Sequence, residues 1–224
     1  MKKLFFVLIT LCSVSFYLLA LNSQQEDNHE KYPLHEAIYA YEDYYINDTL
    51  DEFEKLIAEC ENINALNDEG YAPLHIAVFK GRFNVVQQLI GAGAKIGCPD
   101  RFDWTPLLHA IQHKDHTITA YLINNGADID EPIKNGEYPI HFATRWGMSL
   151  MHFVLNYDAD VNVADSAGWT PLHNAAAYKN PDMVKLLLDY GANRRLRDLK
   201  GRTPKDLTTD KECINLLENY PPEE

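Results

Sequence analysis

Residues 168–192, GWTPLHNAAAYKNPDMVKLLLDYGA, read as two short helices joined by a turn and closed by a glycine. Thr170 stands where a first helix needs an N-cap, and Pro171 falls at the first helical position, where an N–H has no partner to lose. Leu172, Ala175 and Ala176 then share one helical face. Asn180-Pro181 repeats the same device for a second helix, in which Val184, Leu187 and Leu188 line up, and Gly191 supplies the left-handed residue that stops it. Two helices this short cannot bury both apolar stripes alone, so the unit requires neighbours of its own kind.

The neighbours are present. Pro73-Leu74-His75, Thr105-Pro106-Leu107, Pro139-Ile140-His141, Thr170-Pro171-Leu172-His173 and Thr203-Pro204 recur, preceded by a degenerate Pro33-Leu34-His35. The proline-to-proline steps are 40, 33, 33, 32 and 33 residues, and Gly93-Ala94, Gly126-Ala127, Asp158-Ala159 and Gly191-Ala192 close each unit in phase. This pattern resembles the ankyrin repeat, a β-turn plus two helices carrying T-P-L-H-x-A at a period of about 33. The resemblance covers residues 32–220. It implies an all-α solenoid of about six helix-turn-helix repeats with short β-hairpin-like tips, spanning about 32–64, 67–98, 100–130, 133–162, 165–195 and 198–220.

Each departure from the pattern carries an expectation. Repeat one holds seven extra residues within YAYEDYYINDTLDEF, residues 39–53; they form either a binding loop or a longer capping helix. Repeat three has Leu108 at the motif histidine's place, with His109 one position on. Repeat four is one residue short near Gly147–Ser149 and closes on Asp158, which tolerates the left-handed conformation better than most residues. Repeat six is clipped, and Lys205 and Asp206 give it the polar character a terminal repeat needs.

The first 22 residues, MKKLFFVLITLCSVSFYLLALN, carry two lysines and a long apolar run, the pattern of a secretory signal peptide. An uncleaved signal anchor is the alternative, since Leu4–Leu21 is almost long enough to span a bilayer. Both place the repeats outside the cytoplasm, in the periplasm or secreted, because Lys2 and Lys3 stay inside. Residues 23–31 form a polar linker. Beyond the leader Cys60, Cys98 and Cys213 are too few and too scattered for a disulfide framework, and Asn47-Asp48-Thr49 is a glycosylation acceptor in a eukaryotic host. The net charge of −13 repels phosphate backbones, so no nucleic-acid partner is expected. The charge is unevenly spread: residues 23–66 hold twelve acids and two bases, residues 179–211 nine bases and five acids.

No nucleophile elbow, phosphate loop, zinc spacing or dinucleotide fingerprint occurs, and the repeats leave no room for a catalytic domain. No catalytic residue, metal or cofactor is expected. The resemblance gives His35, Pro73, His75, Pro106, Pro139, His141, Thr170, Pro171, His173 and Pro204 a structural role, the histidines tying neighbouring turns by hydrogen bonds. His109, His113 and His116 would make a metal-binding face on one continuous helix, but the repeat phase breaks the helix near Lys114–Asp115.

In ankyrin-like arrays the tips and first helices form a concave, partner-binding face. Alignment of the repeats puts Tyr71, Phe79, Trp104, Phe142, Trp146, Trp169 and Tyr178 at variable positions there, including all three tryptophans and none at a position that packs one repeat on the next. Aromatic rings anchor interfaces because they bury large area with little entropy loss; the alternative is that they stiffen neighbouring tips. The expected protein is non-catalytic, a monomer when unbound, and binds a protein partner outside the cytoplasm through its concave face. Alternatives are an accessory or inhibitor (immunity-type) factor for an envelope enzyme, with metal at His109–His116, and a spacer without a ligand. N-terminal sequencing of the protein recovered from cell fractions should find it outside the cytoplasm and starting near residues 21–23. Full-length chain in the soluble cytosol would refute export.

Overall fold

The computed structural model describes residues 32–40, 50–133 and 136–221. The leader, the linker and the tyrosine-rich segment 41–49 lie outside the described residues. Helices α1 (Pro33–Ala40) and α2 (Leu50–Glu59) form repeat one, α3 (Pro73–Phe79) and α4 (Phe83–Gly91) repeat two, α5 (Pro106–His113) and α6 (His116–Asn124) repeat three. Repeat four is α7 (Pro139–Trp146) and α8 (Met148–Leu155), and repeat five α9 (Pro171–Ala177) and α10 (Pro181–Asp189). In repeat six the first helix shrinks to a 3-10 turn, Pro204–Leu207, followed by α11 (Lys211–Asn219). No strand occurs among the described residues.

The helices start and stop where local chemistry dictates. Thr105 and Thr170 cap α5 and α9, with proline at the first helical position of each. Asn180 caps α10 by accepting from the Met183 N–H at 3.0 Å. Leu172, Ala175, Ala176, Val184 and Leu187 are essentially fully buried, and the same positions in other repeats join them in one continuous core. A fully buried leucine contributes about 1.5–3 kcal/mol, so a helix of seven to ten residues, marginal alone, is held by its neighbours.

Three backbone positions in each of repeats two to five, and one in repeat six, are left-handed. The tips carry Gly70, Asp103, Gly136, Gly168 and Gly201, the turns between helices Gly81, Lys114, Gly147 and Lys179, and the closing loops Gly93, Gly126, Asp158 and Gly191. Asp158 sits at φ 59°, so the stop survives without glycine. The missing residue of repeat four is absorbed between its helices: Gly147 ends α7 and also starts α8. At the tips the glycine also serves packing, since a Cβ on Gly168 would come within 2.8 Å of the Leu199 nitrogen.

Two rows of hydrogen bonds join the repeats. In the first, His75, His141 and His173 each accept at Nδ1 from the N–H of their own helix cap, at 3.1–3.2 Å. Nε2 of each then bonds the next tip's carbonyl, on Trp104, Trp169 and Arg202, at 2.8–3.1 Å. His35 Nε2 likewise reaches the Tyr71 carbonyl at 3.0 Å. In the second row Asn64, Asp130 and Asn162 accept from Lys95, Asp160 and Asn193 N–H of the following repeat, at 2.7–3.1 Å. The first row is interrupted at repeat three, where Leu108 has no polar side chain, and the second at repeat two, where Gly97 has none.

The junction between repeats three and four is therefore set apart. It lacks the histidine bond, and α5 approaches α8 more closely than α7, whereas elsewhere first helix packs on first helix. Of the two rows it keeps only the bond to Asp130, whose carboxyl is pushed above the usual range by burial and by the like charges of Asp160 and Asp128. The repeat four tip also begins with Ile133, where Asn67, Asp100, Asp165 and Asp198 accept two backbone N–H groups each at 2.7–3.1 Å. Hydrogen exchange should show residues 143–160 opening more readily than residues 170–190. Asp130→Asn keeps the acceptor, removes the charge, and should stabilise the chain by about 0.5 kcal/mol while slowing that opening. Equal protection of the two segments would refute a weak joint.

Candidate partner-binding face

The tips and first helices present a row of rings, and the structure sorts the predicted residues within it. Trp104 lies 5.6 Å, centroid to centroid, from both Phe142 and Trp146, which are 5.2 Å from each other. His109 sits between this cluster and repeat two, 5.2 Å from Trp104 and 6.1 Å from Tyr71. Phe79 meets the His113 ring edge-on at 5.0 Å. In repeat five, Trp169 stacks on His173 at 6.5 Å, and the Arg202 guanidinium lies 5.9 Å from its centroid. Arg145 covers Phe142 at 4.7 Å, pairs with Glu137 and reaches Tyr178. Rings and guanidiniums thus continue across repeats two to six.

Two expectations need correction. Phe142 is only 5% exposed and cannot offer its ring to a partner as the molecule stands. Trp104 and Trp146 are half-buried and join repeat three to repeat four, although the repeat alignment assigned no tryptophan to such packing. The physical reason is Leu108: without a histidine bond at this junction, the aromatic cluster occupies the space between tip and helix, each ring pair adding about 0.5–1.5 kcal/mol beyond its area. Tyr71 and Trp169 are half-buried as well. Phe79 and Tyr178, at 54% and 52%, are the open ends of the row. Tyr39, which opens the segment read as either a binding loop or a capping helix, lies in the last turn of α1, 38% exposed and beside Tyr71.

The histidine triplet is divided as the repeat phase requires. α5 ends at His113, Lys114 turns left-handed, and Asp115 caps α6 by accepting from Ile118 at 3.0 Å. His109 Nε2 bonds the buried Asp100 carboxylate at 2.9 Å, while His116 lies 4.2 Å from Phe153 on a separate helix. Among the described residues no group of three or more His, Cys, Asp or Glu is placed to hold a metal ion. Cys60, Cys98 and Cys213 are free thiols.

Three overlapping matches to the model for ankyrin repeats cover residues 44–133, 74–165 and 129–198. The chain belongs to the ankyrin-repeat family. Its all-helical solenoid is similar to the solved ankyrin-repeat domain of Bcl-3, a member of the IkappaB protein family, with a TM-score of 0.71 and 22% identity over 83% of this chain and 81% of that one. Among curated proteins, human neurogenic locus notch homolog protein 1 is 32% identical over 143 residues, 63% of this chain and 6% of that protein. A putative palmitoyltransferase of Danio rerio is 31% identical over 72% of this chain and 26% of its own length. Ankyrin repeat protein nuc-2 of Neurospora crassa is 29% identical over 80% of this chain and 16% of its length. The chain thus spans about a quarter or less of these relatives, and the transferase named among them matches through its ankyrin repeats. Ankyrin repeats are interaction scaffolds, and protein binding is the role this fold supports.

The ankyrin histidines also set a pH limit. Burial lowers His35, His75, His109, His141 and His173 below the ordinary imidazole value, His75 to about 4. They are neutral when folded and take up protons on unfolding below pH about 6.5. Their contribution is therefore complete above that pH and is lost as pH falls towards the folded values. Thermal melting should be flat from pH 7 to 8 and fall between pH about 6.5 and 4, each histidine adding a slope of at most about 1.4 kcal/mol per pH unit. A melting temperature unchanged down to pH 4.5 would refute neutral, hydrogen-bonded histidines.

Proposed function

We propose that this ankyrin-repeat protein works outside the cytoplasm as a non-catalytic recognition module, binding one protein partner on the concave face of its tips and first helices. The observation that carries the reading is the row of rings: its middle is locked by mutual packing, and its ends at Phe79 and Tyr178 stand open. A locked row loses little entropy on binding, while half-exposed aromatics supply the area that hot spots need. The Lys-Lys and apolar leader supports export. No described helix is long and apolar enough to cross a membrane. Binding follows from complementarity of a preformed surface, without turnover.

The full chain, immobilised and used to capture a partner identified by mass spectrometry, provides the test. Phe79→Ala with Tyr178→Ala should lower that partner's affinity by at least about ten-fold and change stability by less than about 1 kcal/mol. Trp104→Ala should differ, weakening both binding and the fold, because it empties the repeat three to repeat four junction. A partner bound equally well by the double variant and by the parent would place recognition elsewhere.

A further inference from the structure

A cavity of about 170 Å³ opens on this face between repeats one, two and three. Tyr39, Tyr71 and Phe79 form ring walls around it, with His75 and Ile76 beneath. Two polar groups also line it. One is the Glu69 carboxylate, which accepts from the Tyr39 hydroxyl at 3.2 Å. The other is His109, 93% buried because only 7% of its surface is exposed. Its Nε2 is committed to Asp100 at 2.9 Å, and its Nδ1 has no hydrogen-bond partner. In the neutral ring an Nε2–H donor to Asp100 makes Nδ1 a bare acceptor, although that atom itself has no surface open to solvent.

Three ring faces and a carboxylate together describe a site for a cation carrying N–H donors. The surroundings agree. Burial and the charges of Glu69 and Glu36 push the Tyr39 phenol up to about 12, so the mouth disfavours negative charge. The Lys80 ammonium already lies 5.2 Å from the Tyr39 centroid, an internal example of the cation this wall attracts. A lysine matches better than an arginine. Glu69 already spends one oxygen on the Tyr39 hydroxyl, so a compact ammonium that needs a single acceptor fits there, whereas the planar fork of a guanidinium loses its bidentate partner.

We propose that this cavity is a subsite for a lysine side chain of the partner protein, its stem against Tyr39, Tyr71 and Phe79 and its ammonium held by the Glu69 carboxylate. The inference rests on the partner-binding reading above. It is tested without the partner, so the subsite can fail while recognition by the ring row stands, and the reverse. The probe is N-acetyl-lysine N-methylamide, titrated into the full chain at pH 7.5 and followed by amide chemical shifts. Saturable shifts should appear at residues 69–80 and 108–110, with a dissociation constant on the order of 1 mM. Glu69→Gln, an exposed change that leaves folding intact, should weaken binding by about three- to ten-fold, and Lys80→Gln should tighten it by removing the internal competitor. The same probe acetylated on its side chain should not saturate. Equal binding of the acetylated and free probes, unchanged affinity in Glu69→Gln, or shifts centred on other repeats would overturn the proposal. An arginine probe binding more tightly than lysine would overturn the choice of cation.

Discussion

A single imidazole, bonded at one nitrogen to its own helix cap and at the other to the next repeat's tip carbonyl, sets the register of the stack. His75, His141 and His173 each make both bonds. The geometry works only if the ring is neutral and almost fully buried, and burial keeps it so by lowering its pKa. The acceptor is the carbonyl of a tip whose left-handed residue lets the chain reverse against its neighbour. Helix start, tip turn and inter-repeat spacing therefore depend on one another, which is why the period can slip by a residue in repeat four without the register being lost.

Where that bond is absent, other forces take over. Leu108 leaves the third junction to the Asp130 bond, to side-chain bonds from Lys114 to Ser149 and from Tyr157 to the His116 carbonyl, and to the packing of Trp104 on Phe142 and Trp146. Hydrogen bonds with fixed direction are replaced there by aromatic packing, which tolerates displacement, and the first helices of the two repeats separate while α8 moves towards α5. The displaced His109 pairs with Asp100 instead of reaching forward, and this leaves one buried nitrogen without a partner. The same junction thus holds the aromatic cluster and a buried imidazole nitrogen that no neighbour satisfies.

The surface that results combines a stiff aromatic centre with open ends and unequal charge. Acidic groups dominate before residue 67 and basic groups over residues 179–211, so a partner arriving along the solenoid meets a gradient that can orient it before contact, more strongly at low salt. The cavity at Tyr39 and Glu69 lies at the acidic end. A rigid face of this kind gains affinity from what it need not reorganise.

The residues themselves determined the family, the repeat phase and the helix limits. Pro at the first helical position, a capping Thr or Asn before it and a left-handed residue at the close are local requirements, and local requirements are written in consecutive residues. The break between His113 and His116 was legible for the same reason. The tyrosine-rich segment and the leader rest on their sequence pattern. Tertiary structure alone decided how far each ring is exposed. Trp104, Phe142 and Trp146 lie 38 and 42 residues from the first to the others, and nothing in either repeat says that an absent imidazole in one will draw the rings of the next into the gap. Burial is a property of what lies across a junction. The Tyr39 cavity and the unfilled His109 nitrogen likewise exist only once three repeats have stacked.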